Sequence, residues 1–152
     1  MIVFATTQPL RLAPLEPVLR KLGIDEAPTI VRSAQLADVV TRNQASLVFI
    51  DGHCILPWDI IAQARADAPA CRFVLCSYGM TPSLVQAAMQ CGLDGVLSTD
   101  LPPGDMVSVL QQIQRGERQF RFEPAKRHIQ SRLAAQAAGT DFDSFWMFGE
   151  SQ

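Results

Sequence analysis

Five short runs of β-favouring residues are spaced along the first two-thirds of the chain, and the stretches between them carry apolar residues at helical intervals. Strands that alternate with helices are not joined by tight hairpins; they build βα units, and these stack into a parallel sheet with helices on both faces. The runs are Met1–Ala5, Thr29–Val31, Leu47–Ile50, Phe73–Cys76 and Gly95–Ser98. Leu47–Ile50 is apolar at every position and is stopped by Asp51-Gly52, the pattern of a central strand buried on both sides and ended by a turn. Between the runs, Leu15, Val18, Leu19 and Leu22 recur at helical spacing, with Pro14 suited to a first turn and Gly23 to a C-cap. Ser33 is a candidate cap for a helix striped by Leu36, Val39 and Val40. Pro82–Cys91 is followed by a capping Gly92, and a last helix begins near Pro102-Pro103 with Met106, Val109, Leu110 and Ile113 on one side.

With 152 residues, 48% of them hydrophobic, the chain has material for one ordinary core and a short appendage. A formal net charge of -2 leaves no basic footprint for a nucleic-acid surface, so direct nucleic-acid binding is not expected. No apolar run is long enough to span a bilayer and the N-terminus has no signal-peptide pattern, which points to a cytoplasmic protein with no membrane partner. Cys54, Cys71, Cys76 and Cys91 form no C-x-x-C pair; neither a zinc site nor a disulfide framework is expected, and all four read as buried free thiols. In an open parallel sheet, ligands sit beyond the carboxyl ends of the strands, which directs attention to Ala5–Gln8, Asp51–Cys54, Ser77–Gly79 and Ser98–Leu101.

Ser77 to Gly95 (SYGMTPSLVQAAMQCGLDG), with its A-x-x-x-G-L-D-G ending, resembles the fourth helix and fifth strand of response-regulator receivers. Leu101 to Arg127 resembles the fifth helix and outgoing linker of the NarL/FixJ branch, and the first strand followed by Gln8-Pro9-Leu10 fits the same branch. Together these cover about residues 1 to 127. The resemblance implies a CheY-like, flavodoxin-like doubly wound sheet of five parallel strands in order 2-1-3-4-5, with a receiver-like domain over residues 1–122 and a helical, aromatic tail over 123–152.

Receivers of this family hold Mg²⁺ with an acidic pair after the first strand. They accept phosphate on an aspartate ending the third, and contact it with a Ser/Thr after the fourth and a Lys after the fifth. Here the acid pair reads Thr6-Thr7, the acceptor is Asp51, the hydroxyl is Ser77, and the lysine position reads Thr99. The aromatic that serves the family as a switch on the fifth strand is Val96, and the third loop, Gly52–Pro57, is about two residues short. Phosphoryl transfer is chiefly charge neutralisation and positioning, so losing the carboxylates and the ammonium removes its main contribution. Thr6 and Thr7 supply no carboxylate for Mg²⁺, and a threonine at 99 offers only a neutral hydrogen bond. No catalytic residue, metal or other cofactor is therefore expected. Asp51 reads equally as a strand-ending residue that bonds its own backbone, and Ser77 as a cap for the next helix. His53 and Cys54 are adjacent in a loop and do not make a nucleophile–base pair.

From Pro124 the sequence reads as a helix ended by Gly139, with a thin stripe of Ala125, Ile129 and Leu133. The helix-turn-helix domain of the NarL/FixJ family does not follow. The chain closes instead on Phe142, Phe145, Trp146 and Phe148 set among acidic and small residues, which read either as rings folded back onto their own receiver face or as a docking anchor for another chain. The expectation is a pseudo-receiver that regulates by binding another protein. The alternatives are an atypical regulator phosphorylated on Asp51, and a small-ligand sensor whose crevice is a neutral pocket of Thr6, Thr7, Ser77 and Thr99. Because the last receiver helix and the helix after Pro124 are expected to leave apolar surface uncovered, the chain should form a two-fold dimer. Light scattering should return twice the chain mass; a monomer mass would leave the apolar tail without a second copy.

Overall fold

The computed structural model describes residues 1–54 and 56–120. Ten elements alternate strictly: β1 (Ile2–Ala5), α1 (Leu15–Lys21), β2 (Thr29–Val31), α2 (Leu36–Asn43), β3 (Leu47–Asp51), α3 (Trp58–Asp67), β4 (Arg72–Ser77), α4 (Pro82–Gln90), β5 (Gly95–Ser98) and α5 (Pro103–Gln114). The five strands form one sheet in the order β2-β1-β3-β4-β5, and every pairing is parallel. This is the flavodoxin-like arrangement expected from the sequence, with the expected five helices.

The sheet is central because its middle strands have no polar face to give to water. Val48, Ile50, Phe73 and Leu75 point into a core shared with Leu36 and Val40 of α2, Ile61 and Ala64 of α3, and Val85 and Ala88 of α4. Their neighbours Leu47, Phe49, Val74 and Cys76 point the other way, into a core closed by Leu15, Val18 and Leu19 of α1 and Met106, Leu110 and Ile113 of α5. Alternate residues of one strand thus feed two cores, which is why these runs read as continuously apolar. Phe4 and Phe49 meet edge to face across β1 and β3, with ring centroids 5.7 Å apart.

Several local expectations need correction. Ser33 does not cap α2: residues Ser33–Gln35 form a short 3₁₀ turn without a side-chain cap, and the α-helix begins at Leu36. α4 is capped instead by Thr81, whose hydroxyl accepts the Leu84 N–H at 3.2 Å, so Ser77 is not its cap either. Only Cys71 and Cys76 are buried; Cys54 and Cys91 are half-buried. The stripe of α5 is spent within the domain: Met106, Leu110 and Ile113 are buried, and Val107 and Val109 pack against the same core. The uncovered apolar surface expected on this helix is not there, so that part of the case for a dimer lapses. The helix after Pro124 and the aromatic cluster at Phe142, Phe145, Trp146 and Phe148 lie outside the described residues.

The G-L-D-G motif is explained by packing at the amino ends of β4 and β5. Gly92 has φ +81°, the left-handed conformation that ends α4 at low cost only in glycine. Leu93 is fully buried, and Asp94 accepts the Phe73 N–H at 2.8 Å and the Arg65 guanidinium at 3.3 Å. Arg72 stands 3.9 Å from the same carboxylate. Gly95 leaves room for the outgoing chain: a Cβ there would lie 2.7 Å from both the Gln119 carbonyl and the end of Ile113. Gln119 pairs in parallel with β5, donating to the Asp94 carbonyl and accepting from the Val96 N–H. Asp94→Ala would strip a buried backbone N–H and a largely buried arginine of their acceptor together. It should lower the unfolding free energy by about 3 kcal/mol, read as a reduced urea midpoint at unchanged slope.

Candidate functional site

The carboxyl ends of β1, β3, β4 and β5 bring Thr6, Asp51, Ser77 and Thr99 to one crevice, as the strand register requires. Asp51 is the last residue of β3 rather than the first of a turn, and its side chain is 0% exposed. Both carboxylate oxygens are engaged. Oδ1 accepts the His53 N–H at 2.9 Å, the self-bonding turn anticipated for an aspartate in this place. Oδ2 accepts the Thr6 hydroxyl at 2.7 Å, the Arg11 guanidinium Nη1 at 3.2 Å and the Cys54 thiol at 3.3 Å. Burial alone pushes the Asp51 carboxyl up, but the Thr6 hydroxyl, the His53 amide, the Cys54 thiol and the Arg11 charge together hold it below its ordinary value. It is a charged group in a saturated shell.

Arg11 is the residue that the sequence reading missed. It is carried by the 3₁₀ turn Pro9–Leu12, one position beyond the Gln8-Pro9-Leu10 segment that carries the likeness to receivers. Pro9 starts that turn with its φ already set, and the Gln8 N–H is tied to the Thr6 hydroxyl at 2.8 Å, which folds the loop back over β3. One signal could have found it: a buried carboxylate with threonines at 6, 7 and 99 around it needs a cation, and Arg11 is the nearest one after β1.

The remaining positions fall as follows. Thr7 is exposed, with its hydroxyl 3.4 Å from the Cys54 sulfur. Ser77 is buried, and its hydroxyl lies 3.3 Å from His53 Nε2. Thr99 is nearly buried and fixed through its backbone, whose N–H donates to the Ser77 carbonyl at 3.0 Å. Val96 is buried in the core beside Leu75 and Leu93. His53 and Cys54 turn apart, one to Ser77 and the other to Asp51, and make no nucleophile–base pair. The thiols of Cys71 and Cys76 are unreactive by environment: burial pushes Cys71 up to about 12 and Cys76 well above the ordinary thiol range.

The neutral hydroxyl-lined pocket does not form. Thr6 and Thr7 line one cavity of about 450 Å³, while Ser77 and Thr99 line another of about 260 Å³. Arg11 and His53 border both, so the crevice is divided and carries charge. Among the described residues no cluster of three or more His, Cys, Asp or Glu side chains could hold a metal ion. No helix among them is long and apolar enough to cross a membrane.

Neither a protein-family model nor a curated protein sequence matches the chain. Solved structures do. The isolated receiver domain of RcsB from Salmonella enterica serovar Typhimurium, determined with the phosphomimetic BeF3-, superposes with a TM-score of 0.66 at 16% identity, over 83% of this chain and 95% of that one. The receiver domain of NarL from Mycobacterium tuberculosis gives 0.63 at 19% identity, over 76% and 96%. A protein of Burkholderia pseudomallei described as pilus assembly-related gives 0.60 at 20% identity, over 76% and 90%. The chain therefore has the fold of response-regulator receiver domains.

The Asp51 shell makes a pH-dependent prediction. A carboxyl depressed below its ordinary 3.8 stabilises the fold above that pH, and the contribution disappears as pH falls through the folded-state value. Asp51→Asn should cost about 1–3 kcal/mol at neutral pH, because Arg11 loses its charged partner. Denaturation at successive pH values should show the gap to wild type closing only under strongly acid conditions, and a gap independent of pH would refute the charge-based account.

Proposed function

We propose that this chain is a pseudo-receiver: a non-enzymatic regulatory module of bacterial-type signalling or transcription control that works by binding another protein, without phosphorylation of Asp51. The observation that carries the reading is the shell around Asp51. An acyl phosphate forms when a carboxylate oxygen attacks phosphorus in line, and Oδ2 here is already the acceptor of three donors, one of them the Arg11 guanidinium. To react, the buried Asp51 would have to leave its ion pair with Arg11, with no second carboxylate at Thr6 or Thr7 to bring in Mg²⁺ and no ammonium at Thr99. The phosphate-dependent signal would then lack its relay, since Val96 offers no aromatic ring to change rotamer.

On this reading the partner is a protein rather than nucleic acid or membrane, the site takes no metal or cofactor, and the protein is cytoplasmic. The output lies beyond residue 120, in the aromatic cluster of Phe142, Phe145, Trp146 and Phe148, whose rings among Asp141, Asp143 and Ser144 have the composition of interface anchors. Self-association belongs to the same proposal and rests on the tail. A switch requires two states with different stabilities, and phosphate deprived of its ligands supplies little difference between them.

The test is direct. With Mg²⁺ and acetyl phosphate, intact-mass analysis should find no hydroxylamine-sensitive adduct at Asp51. Asp51→Asn should bind the partner within about threefold of wild type, whereas Trp146→Ala or Phe145→Ala should weaken binding by tenfold or more, about 1.4 kcal/mol and upwards. A labelled Asp51, or loss of binding in a folded Asp51→Asn variant, would overturn the proposal.

A further inference from the structure

His53 ties the loop after β3 to the loop after β4 through its ring. It sits two residues past the end of β3, and its Nε2 lies 3.0 Å from the backbone N–H of Tyr78, the first residue after β4. A backbone N–H can only donate. Nε2 must therefore be the acceptor, which fixes the ring as neutral imidazole with its proton on Nδ1. The Ser77 hydroxyl stands 3.3 Å from the same nitrogen. Tyr78 begins the loop that runs to Thr81, the cap of α4, and its side chain is 65% exposed beside the crevice.

From this geometry we infer that His53 is a proton-operated latch between the β3–α3 and β4–α4 loops. Protonation turns Nε2 from acceptor to donor. The Tyr78 N–H then faces an N–H of like polarity and is released, while Ser77 Oγ, the hydroxyl within reach, takes the imidazolium proton as acceptor. The exchange moves one hydrogen bond from Tyr78 to Ser77 and frees the start of the loop that displays the exposed tyrosine. It gives the fold an input that needs neither phosphate nor metal.

The charged and titratable groups around the ring are few. Arg11, from the turn after β1, borders both cavities that His53 borders, and its charge opposes protonation. Asp51, at the end of β3, favours it, but this carboxylate is neutralised by Arg11. Cys54 lies in the same loop and faces Asp51, the Tyr78 phenol borders the smaller cavity, and Cys76 beneath is held protonated by burial. No anion other than Asp51 borders these cavities among the described residues. The latch extends the proposed function by naming an input, yet the bond can be examined without the partner, so the two can fail separately.

The experiment is nuclear magnetic resonance on the full chain between about pH 8 and pH 5. At the upper pH the His53 ring should be the Nδ1–H tautomer, and the Tyr78 amide should be protected from exchange relative to its intrinsic rate. Towards the lower pH that protection should fall about tenfold, with the midpoint at which His53 titrates. His53→Gln keeps an acceptor that does not titrate, and should remove the pH dependence while retaining protection; His53→Ala should lose protection at both ends. An Nε2–H tautomer at pH 8, or a Tyr78 amide whose protection ignores the charge on His53, would overturn the latch. Loss of protection at amides throughout the sheet in parallel with Tyr78 would also overturn it, since that is global unfolding.

Discussion

A carboxylate at the end of a strand buried on both faces has lost the water that would stabilise its charge. Asp51 is in that position because β3 is the central strand of the sheet, and the exchange of solvent for protein donors must be nearly complete if the charge is to persist. Four groups complete it: the Thr6 hydroxyl just after β1, the Arg11 guanidinium from the turn beyond, and the His53 amide and Cys54 thiol from the loop after β3. The crevice takes its shape from this. Arg11 comes down over β3 to reach Oδ2, and in doing so divides the space above the sheet into two cavities, neither of them the open, neutral pocket that four hydroxyls alone would have made.

The same problem is solved at the opposite end of the sheet. Asp94 is buried where α4 gives way to β5, and it is satisfied by the Phe73 amide and the arginines of α3 and β4. Arg65 ties this end further by donating to the Gly92 carbonyl and lying over the Phe73 ring. The two carboxylates thus brace the sheet at opposite ends, Asp94 joining α3, β4 and β5, and Asp51 joining β3 to the segment after β1. The difference lies in exchangeability. The Asp94 partners are fixed by backbone and by packed side chains, whereas Arg11 is borne by a short surface turn and remains partly exposed. Arg11 thus covers Asp51 at the carboxyl end of the sheet.

Sequence reasoning reached the architecture because the architecture depends on patterns local to each element. Continuous apolar runs at Leu47–Ile50 and Phe73–Cys76 can only be central parallel strands, and Gly23 and Gly92 mark helix ends with φ values that other residues rarely adopt. Where it failed, a local preference had a competitor. Ser33 is a good cap by type, but the chain makes a 3₁₀ turn first and begins the helix at Leu36; Ser77 is drawn to His53, leaving Thr81 to cap α4. Arg11 was missed for another reason. Its partner is forty positions away, and only the need of a buried carboxylate for a cation, not the identity of an arginine in a loop, points to the pairing.

At the carboxyl edge of the sheet several loops meet, each fixed by a small number of polar contacts. A contact can carry information only if some change of charge or occupancy alters it. The Asp51–Arg11 pair is a poor carrier, because both groups stay charged across the physiological range and each stabilises the other. The contacts made by backbone groups to Asp94 are poorer still. The hydrogen bond from Tyr78 to His53 is different in kind, since its acceptor is an imidazole nitrogen, which becomes a donor if it takes a proton. Ser77, the hydroxyl that receivers turn towards phosphate, turns here towards that imidazole. The link between the ends of β3 and β4 is made here by a ring nitrogen two residues beyond the strand end, the group on which the proposed latch turns.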